Sequence, residues 1–122
     1  SYASAGHVPA FILFKSGELK CSLESTGPPL GLFPVSQFAL HHAIHLEPED
    51  IAVFLTDGVT ESTTPDGHQF GTQRVLDYVR SRRRDSAADI ARGIYQAART
   101  FAQEDLQDDD ITSVIVKVDP SK

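Results

Sequence analysis

Two acidic stretches of this sequence lie at the ends of apolar runs, where their carboxylates could bind a divalent cation. Asp57 follows the apolar run 51–55, and Asp109 and Asp110 precede the apolar run 111–118. Carboxylates that converge repel one another and are costly to desolvate, so they need protons or cations between them. Their hard oxygen ligands suit magnesium or manganese. If the two runs are adjacent antiparallel strands, we expect Asp57 and Asp109 to meet at one edge of a sheet and to form a metal site.

Each acidic stretch also has a purely structural explanation. The sequence Thr-Asp-Gly at 56–58 is a common turn, in which Gly58 permits a sharp change of chain direction. An acidic run before a strand is usually solvated. Either stretch alone is more often structural than functional, and only their combination, with a predicted strand beside each, favours the metal site.

The hydrophobic pattern predicts the strands that precede this site. Apolar runs on either side of the Ser-Gly pair 16–17 predict a β-hairpin with a two-residue turn. Alternating apolar residues over 36–46 predict a further strand. The turn 47–50 is expected to be of type I, because Pro48 is its second residue and has a fixed φ. The run 51–55 then reads as a buried central strand.

Two helices are expected between the central strand and the final strand, 111–118. Apolar residues at helical spacing predict a first helix over about 72–83 and a second that begins after Ser86. Ser86 can cap this second helix, with Asp89 three residues on in the position of the usual glutamate. Strands, two helices and a last strand indicate an α+β fold, in which the helices pack on one face of an antiparallel sheet. We expect residues 1–122 to form a single domain.

Composition excludes several classes of protein. The net charge of −6 argues against nucleic acid as the main partner, and no apolar run approaches the length of a membrane span. The one cysteine, Cys21, cannot form an internal disulfide, which favours a reducing cytoplasm. The sequence contains no methionine, even at position 1. We therefore expect the chain to be a piece of a longer protein.

Five motifs, in order along the chain, resemble one bacterial family. They are YASAGHVPAFIL, GPPLGLF, LEPEDIAVFLTDGVTES, GHQFGTQRV and DDDITSVIVKV. Each is weak alone, but together they resemble the metal-dependent serine/threonine phosphatases of the type 2C fold, in the branch of the stage II sporulation protein E and the sigma-factor regulatory phosphatases. The resemblance covers essentially the whole chain. It implies that the sheet is part of a β-sandwich and that the chain is the C-terminal portion of a phosphatase domain.

The resemblance also implies roles for individual residues. Asp57 and Asp109 match metal ligands of the family, and Asp110 is a supporting carboxylate beside them. Glu61 matches the same motif and would orient the site, as would Gly58 at its turn. His7 matches a position near the catalytic face, although a turn residue bonded to backbone explains it at least as well.

Metal ions and protein partners follow from the same resemblance. In the intact domain two manganese or magnesium ions would activate a water that hydrolyses phosphoserine or phosphothreonine, without a covalent intermediate. The substrate would be a phosphorylated regulatory protein of the anti-sigma-factor antagonist type, and a sensor or receiver domain would be fused or separate. A homodimer is left open. Because the family's bridging aspartate lies upstream of this chain, we expect the isolated chain to bind manganese weakly and to have little or no activity.

Two other interpretations of the sequence are weighed against this one. A truncated or degenerate phosphatase fold would act as a non-catalytic binding or dimerisation module. A cysteine-dependent phosphatase does not fit, because such enzymes hold an arginine six residues after the nucleophile, where Cys21 is followed by Gly27. The arginine-rich run 80–85 is expected to be a solvated helix end, with a docking patch for an acidic phosphoprotein as the alternative.

Overall fold

The computed structural model describes residues 2, 3, 7, 9–27, 44–103 and 112–119 of the chain. The elements of this described part are, in chain order, β1 (Ala10–Leu13), β2 (Leu19–Leu23), β3 (Ile51–Leu55), α1 (Asp57–Thr60), α2 (Gly71–Ser81), α3 (Ala87–Ala102) and β4 (Ser113–Lys117). Among the helices described, none is long and apolar enough to cross a membrane.

The described strands form one antiparallel sheet in the order β2-β1-β3-β4. In the β3–β4 pair, Ile51 is opposite Lys117 and Leu55 is opposite Ser113. The prediction that the run 51–55 and the final strand are antiparallel neighbours is therefore confirmed. Because β3 lies between β1 and β4, its apolar residues Ile51, Ala52, Val53 and Leu55 are buried, as expected for a central strand.

Both long helices pack on one face of this sheet, as the sequence predicts. Alternate residues of β1 and β3 point to this face and meet the apolar sides of α2 and α3. The resulting core contains Phe11, Leu13, Ile51, Val53, Leu55, Val59, Phe70, Val75, Leu76, Val79, Ile90, Ile94 and Ala98. The opposite face of the sheet is also apolar but open, with Phe54, Val114 and Val116 between 38% and 51% exposed.

The β1–β2 hairpin has a longer turn than predicted. The N–H of Phe14 donates to the carbonyl of Glu18 (2.8 Å), and the N–H of Gly17 donates to the carbonyl of Phe14 (2.9 Å). Three residues, 15–17, therefore lie in the loop, and Gly17 has a left-handed φ of 93°. The prediction of a two-residue turn is therefore wrong. The left-handed Gly17 adds a third residue to the loop before the strands pair again. A side chain at Gly17 would also collide with Arg80, whose Nε donates to the Gly17 carbonyl.

The turn 47–50 differs from the predicted type I. The N–H of Asp50 donates to the carbonyl of Glu47 (3.1 Å), which closes the turn as expected. However, Glu49 has a φ of 68°, and a left-handed third residue after proline is typical of a type II turn. The reason is tertiary, since the N–H of Glu49 donates to the carbonyl of Val118 just beyond β4 (2.8 Å).

A buried ion pair fastens this turn to the hairpin. Asp50 is 2% exposed and accepts from the Nζ of Lys20 (2.8 Å) and from the N–H of Glu47 (2.9 Å). The same Nζ donates to the carbonyl of His45 (2.6 Å), so one ammonium joins β2 to the segment before β3. The hydrogen bond that Lys20 donates to Asp50 raises the pKa of Lys20. The strand predicted over 36–46 lies mostly outside the described residues, and 44–46 have no regular structure.

The helices begin and end close to the predicted positions. Helix α2 spans 71–81 rather than 72–83 because Arg82, with a φ of −114°, leaves the helical conformation. The N–H of Asp89 donates to the hydroxyl of Ser86 (3.1 Å), which confirms the predicted cap of α3. The arginine run begins in the last turn of α2 and is partly used within the fold, since Arg83 donates to the carbonyl of Arg80 (2.9 Å).

Candidate metal centre

Three strand ends converge at the edge of the sheet where Asp57 lies. Strand β3 ends here at Leu55, directly opposite Ser113, the first residue of β4. Strand β1 begins at the same edge, since Phe11 pairs with Val53 and the two strands run in opposite directions. The topology therefore brings the residues after β3, before β4 and before β1 to one side of the molecule.

The short helix α1 carries Asp57 and is anchored to the core from below. Val59 is fully buried, and Gly58 beside it is buried as well. The hydroxyl of Ser62 donates to the carbonyl of Gly58 (2.8 Å), while the carbonyl of Ser62 accepts from the N–H of Phe70 (2.7 Å). These contacts fix the orientation of a helix that is too short to be stable alone. The supporting role of Gly58 stays a prediction, and the structure shows this glycine buried directly after Asp57.

Asp57 and Glu61 project to the solvent at this edge. They lie four residues apart, and the N–H of Glu61 donates to the carbonyl of Asp57 (2.8 Å), so they follow one another on the same side of the helical turn. Within the described part of the chain, no ion pair or side-chain hydrogen bond uses either carboxylate. Two exposed, unneutralised oxygen donors are suitable ligands for a hard divalent cation.

The β3–β4 ladder continues one residue beyond the strands. The N–H of Thr56 donates to the carbonyl of Thr112 (2.9 Å), and the N–H of Thr112 donates to the hydroxyl of Thr56 (2.9 Å). Asp109 and Asp110 themselves lie outside the described residues. In the sequence, Thr112 is three residues after Asp109.

The described residues alone do not complete a metal site. No group of three or more histidine, cysteine or acidic side chains within this part of the chain could hold one ion. The donors present fit magnesium or manganese in type, since they are carboxylates, but a complete site needs oxygen ligands from residues other than those described. His7 is exposed and lies on the segment that enters β1 at this edge, three residues before Ala10.

Cys21 lies on β2 and lacks the environment of a catalytic thiol. Burial raises the pKa of this thiol, with a smaller opposing effect of the neighbouring Lys20. A nucleophilic cysteine instead needs a lowered pKa, because the thiolate is the reactive species. The geometry agrees with the sequence in assigning Cys21 no chemical role.

The fold and the edge together define a class of protein. An antiparallel sheet covered by two helices, with a carboxylate after the central strand, is the arrangement of part of a type 2C (PP2C) phosphatase domain. A family model described as stage II sporulation protein E (SpoIIE) matches residues 1–119. The chain belongs to this family.

Two relatives and two solved structures show how far the similarity extends. The chain is 34% identical over 116 residues to the protein IcfG of Synechocystis sp. (strain ATCC 27184 / PCC 6803 / Kazusa), covering 95% of this chain and 18% of IcfG. It is 31% identical over 114 residues to the phosphoserine phosphatase RsbU of Bacillus subtilis (strain 168), covering 89% of this chain and 32% of RsbU. The chain therefore spans less than a third of the length of either relative.

The solved structures confirm the fold at lower identity. The SiaA-PP2C domain of Pseudomonas aeruginosa superposes with a TM-score of 0.71 and 20% identity, over 94% of this chain and 44% of that one. The phosphatase domain of SpoIIE from Bacillus subtilis (Mn presoaked) superposes with a TM-score of 0.64 and 16% identity. This match covers 97% of this chain and 50% of that one. The chain thus corresponds to about half of a PP2C domain.

Proposed function

We propose that the protein containing this chain is a metal-dependent phosphatase that removes phosphate from serine or threonine of a regulatory protein. The observation that carries the proposal is the exposed carboxylate pair, Asp57 and Glu61, fixed at the end of β3, where the β3–β4 ladder continues to Thr112. Membership of the SpoIIE family and the similarity to RsbU, itself a phosphoserine phosphatase, support the reaction type.

Each carboxylate of this edge has a distinct role in the proposal. Asp57 and Asp109 hold manganese or magnesium, and Asp110 supports them. Glu61 orients the ligands from the same helical turn, and His7 lies on the segment that reaches this edge. When bound, two such ions would act as Lewis acids toward the phosphoryl oxygens and would activate a water molecule as the nucleophile. The chain contributes the rigid display of Asp57, since the buried Val59 and Gly58 hold α1 against the core.

The partners in this proposal follow from the resemblance of the sequence motifs to the family. A phosphorylated protein of the anti-sigma-factor antagonist type is the substrate, in the cytoplasm, and a sensor or receiver domain, fused or separate, controls the enzyme. We propose no nucleic acid partner, because the chain has a net charge of −6. A homodimer is compatible with this assignment.

The test is manganese-dependent hydrolysis of a phosphoserine peptide by the full-length protein. Asp57→Ala and Asp109→Ala should each lower the rate at least about 100-fold, because the bound ion supplies several kcal/mol of charge stabilisation. Asp66→Ala is the matched control. Asp66 is an equally acidic, exposed residue in the loop after α1, and its contact with exposed His68 (3.6 Å) contributes little.

Two results would contradict the proposal. Full activity of both aspartate variants would show that neither carboxylate is needed for the reaction. A wild-type protein that hydrolyses no phosphopeptide with either metal, yet binds a protein partner, would favour the alternative of a non-catalytic binding module.

A further inference from the structure

Thr56 lies between the last residue of β3 and the first residue of α1, and its side chain does not cap the helix. A threonine at a helix N-cap normally accepts a hydrogen bond from the backbone of the first turn. Thr56 is the N-cap of α1, but its hydroxyl makes no such bond. The N–H of Val59 donates instead to the backbone carbonyl of Thr56 (3.1 Å).

The hydroxyl of Thr56 is directed across the sheet to Thr112. It accepts from the N–H of Thr112 (2.9 Å) and donates to the carbonyl of the same residue (3.3 Å). That carbonyl also accepts from the N–H of Thr56 (2.9 Å). Three hydrogen bonds therefore join these two residues, and we call this pair the threonine clamp.

The clamp takes the place of a regular ladder bond at the start of the helix. In a regular antiparallel pair, two opposite residues exchange both backbone bonds. Here the carbonyl of Thr56 accepts from the N–H of Val59 in the first turn of α1, and the N–H of Thr112 donates to the hydroxyl of Thr56. The hydroxyl takes its place, and the pairing extends beyond Leu55 and Ser113 although β3 has ended.

The position of the clamp connects it to the proposed metal ligands. Asp57 follows Thr56 directly, and Asp110 precedes Thr112 by two residues. Among the described contacts between the two chain segments, the clamp is therefore the one closest in sequence to both carboxylate stretches.

We propose that Thr56 is a positioning residue, whose hydroxyl holds the start of α1, where Asp57 lies, in a fixed register with the start of β4. This inference rests on the proposed function, in which Asp109 is the second ligand. Carboxylates on separate strands bind an ion well only when the strands hold a constant register, and groups that orient metal ligands typically affect metal affinity 10–100-fold. The clamp supplies that register at Thr56, directly before Asp57, and at Thr112, two residues after Asp110.

The experiment compares hydroxyl-free and hydroxyl-containing variants of the full-length protein. Thr56→Val keeps the shape of the side chain and removes the hydroxyl, and Thr56→Ala removes it without a β-branch. Thr56→Ser keeps the hydroxyl. Thr100→Val, on the exposed side of α3, is the matched control for the chemical change itself.

Two quantities are measured on each variant. Manganese affinity is determined by calorimetric titration, and the exchange rate of the Thr112 amide hydrogen is determined by NMR or mass spectrometry without metal. We expect Thr56→Val and Thr56→Ala to weaken manganese binding by about tenfold and to speed exchange at Thr112. Thr56→Ser should remain within about twofold of the wild type in both measurements, and Thr100→Val should be unchanged.

The outcomes separate this inference from the function on which it rests. Wild-type manganese affinity in Thr56→Val, with Asp57→Ala strongly weakened, would overturn the positioning role alone. Equal weakening in Thr56→Ser and Thr56→Val would do the same, as would hydroxyl-free variants that do not fold, since the role would then be structural. If Asp57→Ala binds manganese normally, the proposed function itself is wrong, and the exchange rate then reports only whether the clamp forms.

Discussion

Gly93 offers a strong test of how the two long helices pack. A Cβ atom built at this position in α3 would lie 1.6 Å from the hydroxyl oxygen of Tyr78 and 2.5 Å from its Cζ, so the ring of Tyr78 rests directly on the glycine. Replacement of glycine by alanine within a helix normally stabilises it by about 1 kcal/mol. Here the ring must move out of its place against the core, and overpacking of this kind costs about 1–3 kcal/mol.

The balance of these two effects gives both a sign and a magnitude. We expect Gly93→Ala to lower the free energy of unfolding by about 1 kcal/mol, the midpoint of the overpacking range less the gain in helix propensity. In a Tyr78→Ala background the collision is absent, and the same substitution should stabilise the chain by about 1 kcal/mol. The coupling between the two positions is then about 2 kcal/mol, large enough to measure.

Urea unfolding of the four chains in this cycle is the assay. A change of about 1 kcal/mol moves the unfolding midpoint by roughly 0.3–1 M. Ala91→Gly, at a partly exposed position of the same helix, measures the local helix propensity and serves as the control. A stabilising Gly93→Ala in the wild-type background, or equal effects in both backgrounds, would refute the packing of Tyr78 on Gly93.

Three further predictions concern Lys20, Cys21 and the binding of manganese to the isolated chain. The pKa of Lys20 is raised in the folded chain, so the ammonium favours folding at every pH below the unfolded pKa and this contribution is lost as pH rises through the folded pKa. Stability should therefore fall in the alkaline range, and the fall should be smaller in Asp50→Asn, as thermal unfolding against pH will show. Because burial raises the pKa of Cys21, its alkylation by iodoacetamide at neutral pH should be slower than that of a free thiol, and rapid alkylation would contradict this expectation. Cys21→Ala should keep full phosphatase activity. Calorimetric titration of the isolated chain with manganese should give weak binding, whereas two tight sites would show that the chain completes its centre in another way, for example through a dimer.

The features that the sequence predicts correctly depend on neighbouring residues. The serine cap of α3 needs only Ser86 and the backbone three residues on, and the buried run 51–55 is apolar enough to be central in any sheet. The antiparallel pairing of β3 and β4 is the exception, since it joins distant residues and was predicted from the carboxylates beside the two apolar runs.

The features that sequence reasoning missed depend on contacts between distant residues. Glu49 has a left-handed φ because its backbone is bonded to Val118, and no pattern within the turn reports that contact. The role of Thr56 is equally hidden, since the sequence Thr-Asp-Gly indicates only a turn. Only the pairing with Thr112 reveals the different use of its hydroxyl.

The open face of the sheet has a consequence for handling the isolated chain. Phe54 lies opposite Val114, and Ala52 lies opposite Val116, so this face is a continuous apolar surface that extends to β4, the outermost strand of the sheet among the described residues. Apolar patches of this kind drive association, and excluded salts such as sulfate strengthen that tendency. Concentrated solutions of the isolated chain should therefore scatter light increasingly as sulfate is added, and Val114→Lys should suppress the effect while the folded core, on the other face, stays unchanged.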